Sequence, residues 1–338
     1  MPARRLILFI FRFTLLSAAA GSLLGRYESL AAGGTAAAGS FRGAIVGALV
    51  GFTLTSFELA LNAPWAQRLR QAPFLVLLIG RSLVYLGVIL AARAGALIGL
   101  PVPPGAGPSI PRGDVLASMA IALGFNLLAG MNLLLGPGVL FNFIAGRYYR
   151  PRLEARAVLL IDMTGSTAIA ERLGELRFLM LLNRFVADLS LAIAGEGGEI
   201  HKYVGDEVIA TWRLGRAGAA QAAIRACFGA RARLAAHAAD YQREFDLVPE
   251  FRAALHCGPL VIGELGIVKM EIALIGDTMN TAARIQQACR DSGHAVLASA
   301  ALLDRVAELP AGIVKRTLGA LRLRGKEAPL DLCALDTA

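Results

Sequence analysis

The chain has 338 residues, enough for two or three domains of about 100–200 residues each. Hydrophobic residues make up 56% and charged residues 17%, a balance that excludes an ordinary soluble protein along its whole length. The formal net charge is +9, yet the basic residues form no aromatic-interleaved stripe and no nucleic-acid motif, so nucleic acid is not an expected partner.

The apolar character is concentrated before Gly146, and most acidic residues lie after Pro151. Four apolar segments are visible, at residues 6–24, 44–61, 74–100 and 115–144. Each meets the length of roughly 17–25 residues that a membrane-spanning helix needs. Arg12 interrupts the first apolar core and three more segments follow, so the start reads as an anchor and not as a cleaved signal peptide. Arg4 and Arg5, Arg68 and Arg70, and the basic run at residues 148–156 place both ends of the bundle on the cytoplasmic side. Residues 1–146 are therefore expected to form an α-helical transmembrane bundle of about four spans, N-in and C-in, in the cell inner (plasma) membrane. Residues 147–338 follow as a cytoplasmic domain.

Arg12, Glu58, Arg81 and Arg93 fall inside the apolar segments. Unpaired charge in lipid is costly. Glu58 is expected to pair with Arg81 or Arg12, the other possibility being that these side chains snorkel to the headgroups. Asn126 and Asn132 read as interhelical hydrogen bonders.

After Ala155 the pattern becomes that of a compact α+β domain. Residues 157–161 read as a buried strand, 166–194 as a helix, and 200–204 with 208–212 as a hairpin. A long Ala-rich helix is expected over 217–245 and a strand over 251–257. Residues 258–266 should turn that strand back on itself. A helix over 277–288, a strand at 295–297 and further strands within 318–335 complete the chain. The order β-α-β-β-α-β is the ferredoxin-like unit, which brings the end of the first strand beside the hairpin. The four cysteines, Cys227, Cys257, Cys289 and Cys333, form no CxxC pair and read as reduced core thiols.

Asp162 ends the first apolar strand and is followed by Met163, Thr164, Gly165, Ser166 and Thr167, a turn that opens a helix. Free backbone N–H groups and the helix dipole make that turn an anion site. Asp206 follows Gly205 at the hairpin tip. Side by side, Asp162 and Asp206 would hold a pair of divalent cations. Glu207 is expected to project to the other face. Lys202 lies four residues before Asp206, and His201 beside it reads as a surface or interface residue. Asn280 and Arg284 share one helix face, where they suit a ribose and a phosphate.

Together these motifs resemble the catalytic domain of the class III nucleotidyl cyclases, the adenylate and guanylate cyclase family, from about Glu154 to the C-terminus. The resemblance implies that Asp162 and Asp206 bind two Mg²⁺ or Mn²⁺ ions. It implies that the turn from Met163 to Thr167 wraps the triphosphate and that Lys202 contacts the purine edge. Asn280 would orient the ribose, and Arg284 would stabilise the pentavalent phosphorus. It further implies a head-to-tail homodimer in which the metal aspartates come from one subunit and the purine contact, Asn and Arg from the other. The expected activity is a membrane-anchored adenylate cyclase that converts ATP to cyclic AMP and pyrophosphate.

One position departs from the family pattern. Where adenylate cyclases carry Asp, Thr or Ser as the second purine contact, this chain has Ala273, whose side chain cannot hydrogen-bond. That leaves Lys202 to read the base, with backbone groups or Glu271 nearby. Lysine is a donor only and can meet adenine N1 or guanine O6. ATP is expected because the guanylate-type Glu and Cys are both missing. The alternatives are a guanylate or dual-purine cyclase, or a membrane sensor whose cyclase-like domain only binds nucleotide.

Overall fold

The computed structural model of the chain describes residues 3–31, 33–61, 74–99, 146–268, 270–321 and 329–338, with residues 116, 119, 120, 123, 124, 126 and 127. It divides into two compact units, Met1–Gly136 and Pro137–Ala338.

In the first unit, helices α1 (Ala3–Ala31), α2 (Ala36–Leu61) and α3 (Phe74–Gly99) contain the first three apolar segments. The fourth, 115–144, lies mostly outside the described residues. Within α2 and α3, Ala36–Glu58 and Leu75–Ala94 are long and apolar enough to cross a membrane. Small residues determine how α1 meets α2. Gly39, Gly43, Gly47 and Gly51 repeat every four residues along α2 and face Ser17, Gly21, Gly25 and Ser29 of α1. A Cβ added at Gly43 would overlap the Gly21 carbonyl, so these backbones approach as closely as only glycine allows.

The misplaced charges find partners. Glu58 lies 3.6 Å from Arg81 and accepts a hydrogen bond from the buried Tyr85 hydroxyl. The Arg93 guanidinium donates to both carboxylate oxygens of Glu28, at 2.7 and 2.8 Å. The Asn126 amide bridges to the Leu78 carbonyl (2.9 Å) and to Ser82 Oγ (3.0 Å) on α3, the interhelical role expected of it. Asn132 and the Arg12 side chain lie outside the described residues.

In the second unit the elements run β1 (Arg152–Met163), α4 (Ser166–Leu173), α5 (Glu175–Gly195), β2 (Glu199–Val204), β3 (Glu207–Arg213), α6 (Ala219–Ala236) and α7 (Ala238–Phe245). They continue with β4 (Phe251–Leu265), β5 (Glu271–Ile275), α8 (Asp277–Ser292), β6 (Val296–Ser299), α9 (Ala300–Leu303), β7 (Ile313–Leu321) and β8 (Leu330–Thr337). The strands form one sheet in the order β2-β3-β1-β4-β6-β8-β7, with β5 on the far part of β4. The β2-β3-β1-β4 portion is the expected ferredoxin-like unit.

Three boundaries differ from the sequence reading. The first long helix is broken at Gly174, whose φ of 75° ends α4 and starts α5. The second breaks at His237. The third difference is larger, because β4 does not turn at Gly258 but runs on to Leu265. Its first part pairs with β6 and its last part with β5, and Pro259 falls in the gap between them, where a missing N–H is tolerated. The reversal comes at Gly266, with φ of 106°.

Alternation along β1 divides the core into two layers. Leu159, Ile161 and Met163 face α5 and α6, where Phe185, Leu189, Ile224 and Cys227 cover them. Val158 and Leu160 face α8, packed by Ala282, Ile285 and Cys289. α5 also has the length and composition of a membrane span. It is a domain helix, because Leu181, Phe185, Leu189 and Ile193 are buried in this core and Asp188 holds Arg233 and Tyr241. All four cysteines are free and buried, and burial pushes Cys227 and Cys289 up to about 12.

Candidate active site

Asp162 lies one residue before the end of β1, on the face covered by α8. Antiparallel register sets it opposite Glu207 on β3 and Arg252 on β4. Asp206 sits in the two-residue turn between β2 and β3, after Gly205 with φ of 61°. The two aspartates are close enough for the Asp206 charge to act on Asp162. Burial raises the Asp162 pKa. The Arg290 hydrogen bond works against that rise, and the Asp206 charge adds to it. Arg290 Nη2 lies 2.5 Å from Asp162 Oδ2. Glu207 is also raised, first by burial, while the neighbouring Gln286 side chain lowers it and the charges of Asp162 and Asp206 add to the rise. Glu207 thus belongs to this acidic cluster, contrary to the expectation that it would project away. Cross-strand pairing with Asp162 puts the two on one face.

The turn after Asp162 is tightly built. The Thr164 amide donates to the Glu250 carbonyl at 2.8 Å, and Gly165 precedes α4 in the left-handed region with φ of 69°. Ser166 and Thr167 open the helix, with Thr167 exposed. Met163 belongs to the strand, and its side chain is buried in the core, so only its backbone can meet a ligand.

The remaining expected site residues gather elsewhere. Asn280 and Arg284 lie exposed on α8, on the side away from the buried Thr281, Ala282 and Ile285. Among the described residues neither makes a hydrogen bond or ion pair. Lys202 on β2 meets Glu271 on β5 at 2.8 Å, and Ala273 lies two residues beyond on the same strand. Asn280 is ten residues from Arg290 along α8, about 15 Å at 1.5 Å per residue. Lys202 is four residues from Asp206, about 13 Å at roughly 3.3 Å per residue. The expected site residues therefore fall into two groups on one chain. The aspartates and the α4 N-terminus lie by the C-terminal end of α8. Asn280, Lys202 and Ala273 lie toward its N-terminal end, with Arg284 midway along it.

The sequence profile of the adenylate and guanylate cyclase catalytic domain matches residues 148–330. The chain belongs to this family. The match spans both groups of residues. Adenylate cyclase 2 of Rhizobium meliloti (strain 1021) is 39% identical over 202 residues, which is 60% of this chain and 55% of that protein. The chain thus spans about half the length of that curated relative. Among solved structures, a bacterial light-regulated adenylyl cyclase superposes with TM-score 0.56 at 19% identity, over 68% of this chain and 66% of that one. The adenylyl cyclase CyaB from P. aeruginosa superposes with TM-score 0.51 at 22% identity, over 56% of this chain and 97% of that one. These two likenesses establish the cyclase fold.

Reading the sequence alone missed three residues around Asp162 and Glu207. Arg290 escaped because α8 was expected to stop at Ala288, which removed its last turn from consideration, and Gln286 because its approach to Glu207 depends on how α8 packs on the sheet. Arg252 becomes visible only through strand register. The signal within reach was the charge of Arg290, six residues beyond Arg284 and so past the next turn of the same helix.

Proposed function

We propose that the protein is a membrane-anchored adenylate cyclase that closes ATP to 3′,5′-cyclic AMP with release of pyrophosphate, at sites shared between two copies of the chain. The observation that carries this reading is the placement of Asp162 at the end of β1 and Asp206 in the turn leading into its neighbour β3, beside the α4 N-terminus. The Asp206 charge adds to the proton affinity of Asp162, and a hard divalent cation relieves that repulsion. The pair fits two Mg²⁺ or Mn²⁺ ions, which when bound supply a lowered hydroxyl pKa and neutralisation of phosphate charge.

The chain's own groups account for the rest. The backbone N–H groups of Gly165, Ser166 and Thr167, at the opening of α4, favour the triphosphate. Arg252, set across from Asp162, adds positive charge on the same side. Asn280 of the second copy orients the ribose, and its Arg284 faces the charge that grows on the α-phosphoryl oxygens. Lys202 of that copy contacts the purine.

Two findings support the homodimer. The aspartates lie by the C-terminal end of α8 while Asn280 and Arg284 occupy its N-terminal half, and a head-to-tail pair joins these two half-sites twice. The β4–β5 hairpin also exposes Leu265, Ile267, Val268, Met270 and Ile275, with Ile267 at 97% and Val268 at 103%, an apolar edge suited to a partner. Helices α2 and α3 support a membrane anchor by their length and composition.

The test incubates the purified protein with ATP or GTP and Mg²⁺ or Mn²⁺ and identifies the cyclic product. Asp162→Ala and Asp206→Ala should each reduce turnover by about a hundredfold or more. Near wild-type turnover in either variant would remove the two-metal assignment.

A further inference from the structure

Strands β3, β1 and β4 separate β2 from β5 in the sheet order, yet Lys202 Nζ donates to Glu271 Oε2 at 2.8 Å. The β4–β5 hairpin therefore curls back over the sheet and carries Glu271 to Lys202. Both side chains are about half exposed, at 50% and 40%, and a pair this accessible contributes little to stability. Its placement has another consequence. Side chains alternate along a strand. Ile272 and Leu274 pack into the core, which leaves Glu271 and Ala273 together on the opposite face of β5.

Building on the assignment of Lys202 to the purine, we infer that Glu271 is the second base-reading residue and supplies the acceptor that Ala273 lacks. Lysine can only donate and a carboxylate can only accept. Held side by side, they present a donor next to an acceptor. Adenine offers the matching edge, because N1 accepts from Lys202 and the 6-amino group donates to Glu271. In the same pose guanine presents N1–H to the ammonium and O6 to the carboxylate, so both contacts become repulsive. The ammonium has three donors and the carboxylate several lone-pair sites, so their mutual bond leaves capacity for a base. That bond also fixes both side chains before the nucleotide arrives, which lowers the ordering cost of binding.

The test measures kcat/KM for ATP and for GTP on the full-length dimer. In Glu271→Ala and in the same-size Glu271→Gln, the preference for ATP over GTP should fall by about tenfold or more, mainly through the KM for ATP. Adding Ala273→Asp to Glu271→Ala should restore most of that preference, which no loss of general packing would do. A preference within about twofold of wild type in both single variants would overturn the inference, and so would a wild-type enzyme that prefers GTP. The cyclase assignment fails in a different way, by a wild type that cyclises neither nucleotide. In that case the preference is read from displacement of a fluorescent ATP analogue by ATP and by GTP, and unchanged displacement in Glu271→Gln again overturns the inference.

Discussion

Arg290 closes on Asp162 with Nη2 and Oδ2 2.5 Å apart, so one of the two aspartates assigned to metal already holds a cation from the helix that packs across it. Hydrogen bonding to Asp162 raises the Arg290 pKa further, so the guanidinium stays charged at any working pH. A divalent ion at Asp162 must compete with it. Arg290→Gln is therefore expected to bind Mn²⁺ about tenfold more tightly in nucleotide-free protein, since a charge-assisted hydrogen bond contributes about 1.5–3 kcal/mol. Calorimetric titration checks this, and equal or weaker affinity would show that the pair does not compete with metal.

His201 gives a pH dependence with a definite sign. Burial, and after it the Lys202 charge, pushes His201 down to about 4. An unfolded histidine titrates near 6.5, so the unfolded chain takes up this proton at higher pH than the folded one. Stability linked to neutral His201 is fully present above about pH 6.5 and is lost as the pH falls toward 4. His201→Gln should flatten the slope of Tm against pH across that window. Parallel slopes for the two proteins would contradict the assignment.

The four-glycine repeat of α2 makes the α1–α2 contact sensitive to volume. Gly43→Leu places a branched side chain where even a Cβ would overlap the Gly21 carbonyl. The helices must separate, with a loss of order 1–3 kcal/mol for overpacking. Thermal unfolding in detergent should shift several degrees down. A Gly80→Leu control on α3, where an added Cβ meets nothing within 4 Å, should shift far less.

Much of this was legible in the residues themselves. A carboxylate ending an apolar run before Met163, Thr164 and Gly165, and a second after Gly205 between apolar runs, placed Asp162 and Asp206 correctly on a strand end and a hairpin turn. Glu58 meets Arg81, one of the two partners expected for it. The misreadings share one cause. Gly258-Pro259 looked like a turn because local sequence cannot show that β4 changes neighbours midway along its length. Glu207 looked remote because its face depends on register with β1. Arg290 lay just beyond an expected helix end, and its partner is 128 residues away. Such contacts are decided by tertiary pairing, which a local pattern does not encode.

The central claim is that complementary half-sites from two copies complete each active centre. The most direct measurement mixes an Asp162→Ala chain with an Arg284→Ala chain, each inactive alone, and assays cyclic AMP formation from ATP. Mixed dimers hold one site with both lesions and one with neither, so activity should return to about a quarter of wild type when chains pair at random. Mixed dimers that form, as shown by differential tagging, and yet remain inactive would contradict the shared site.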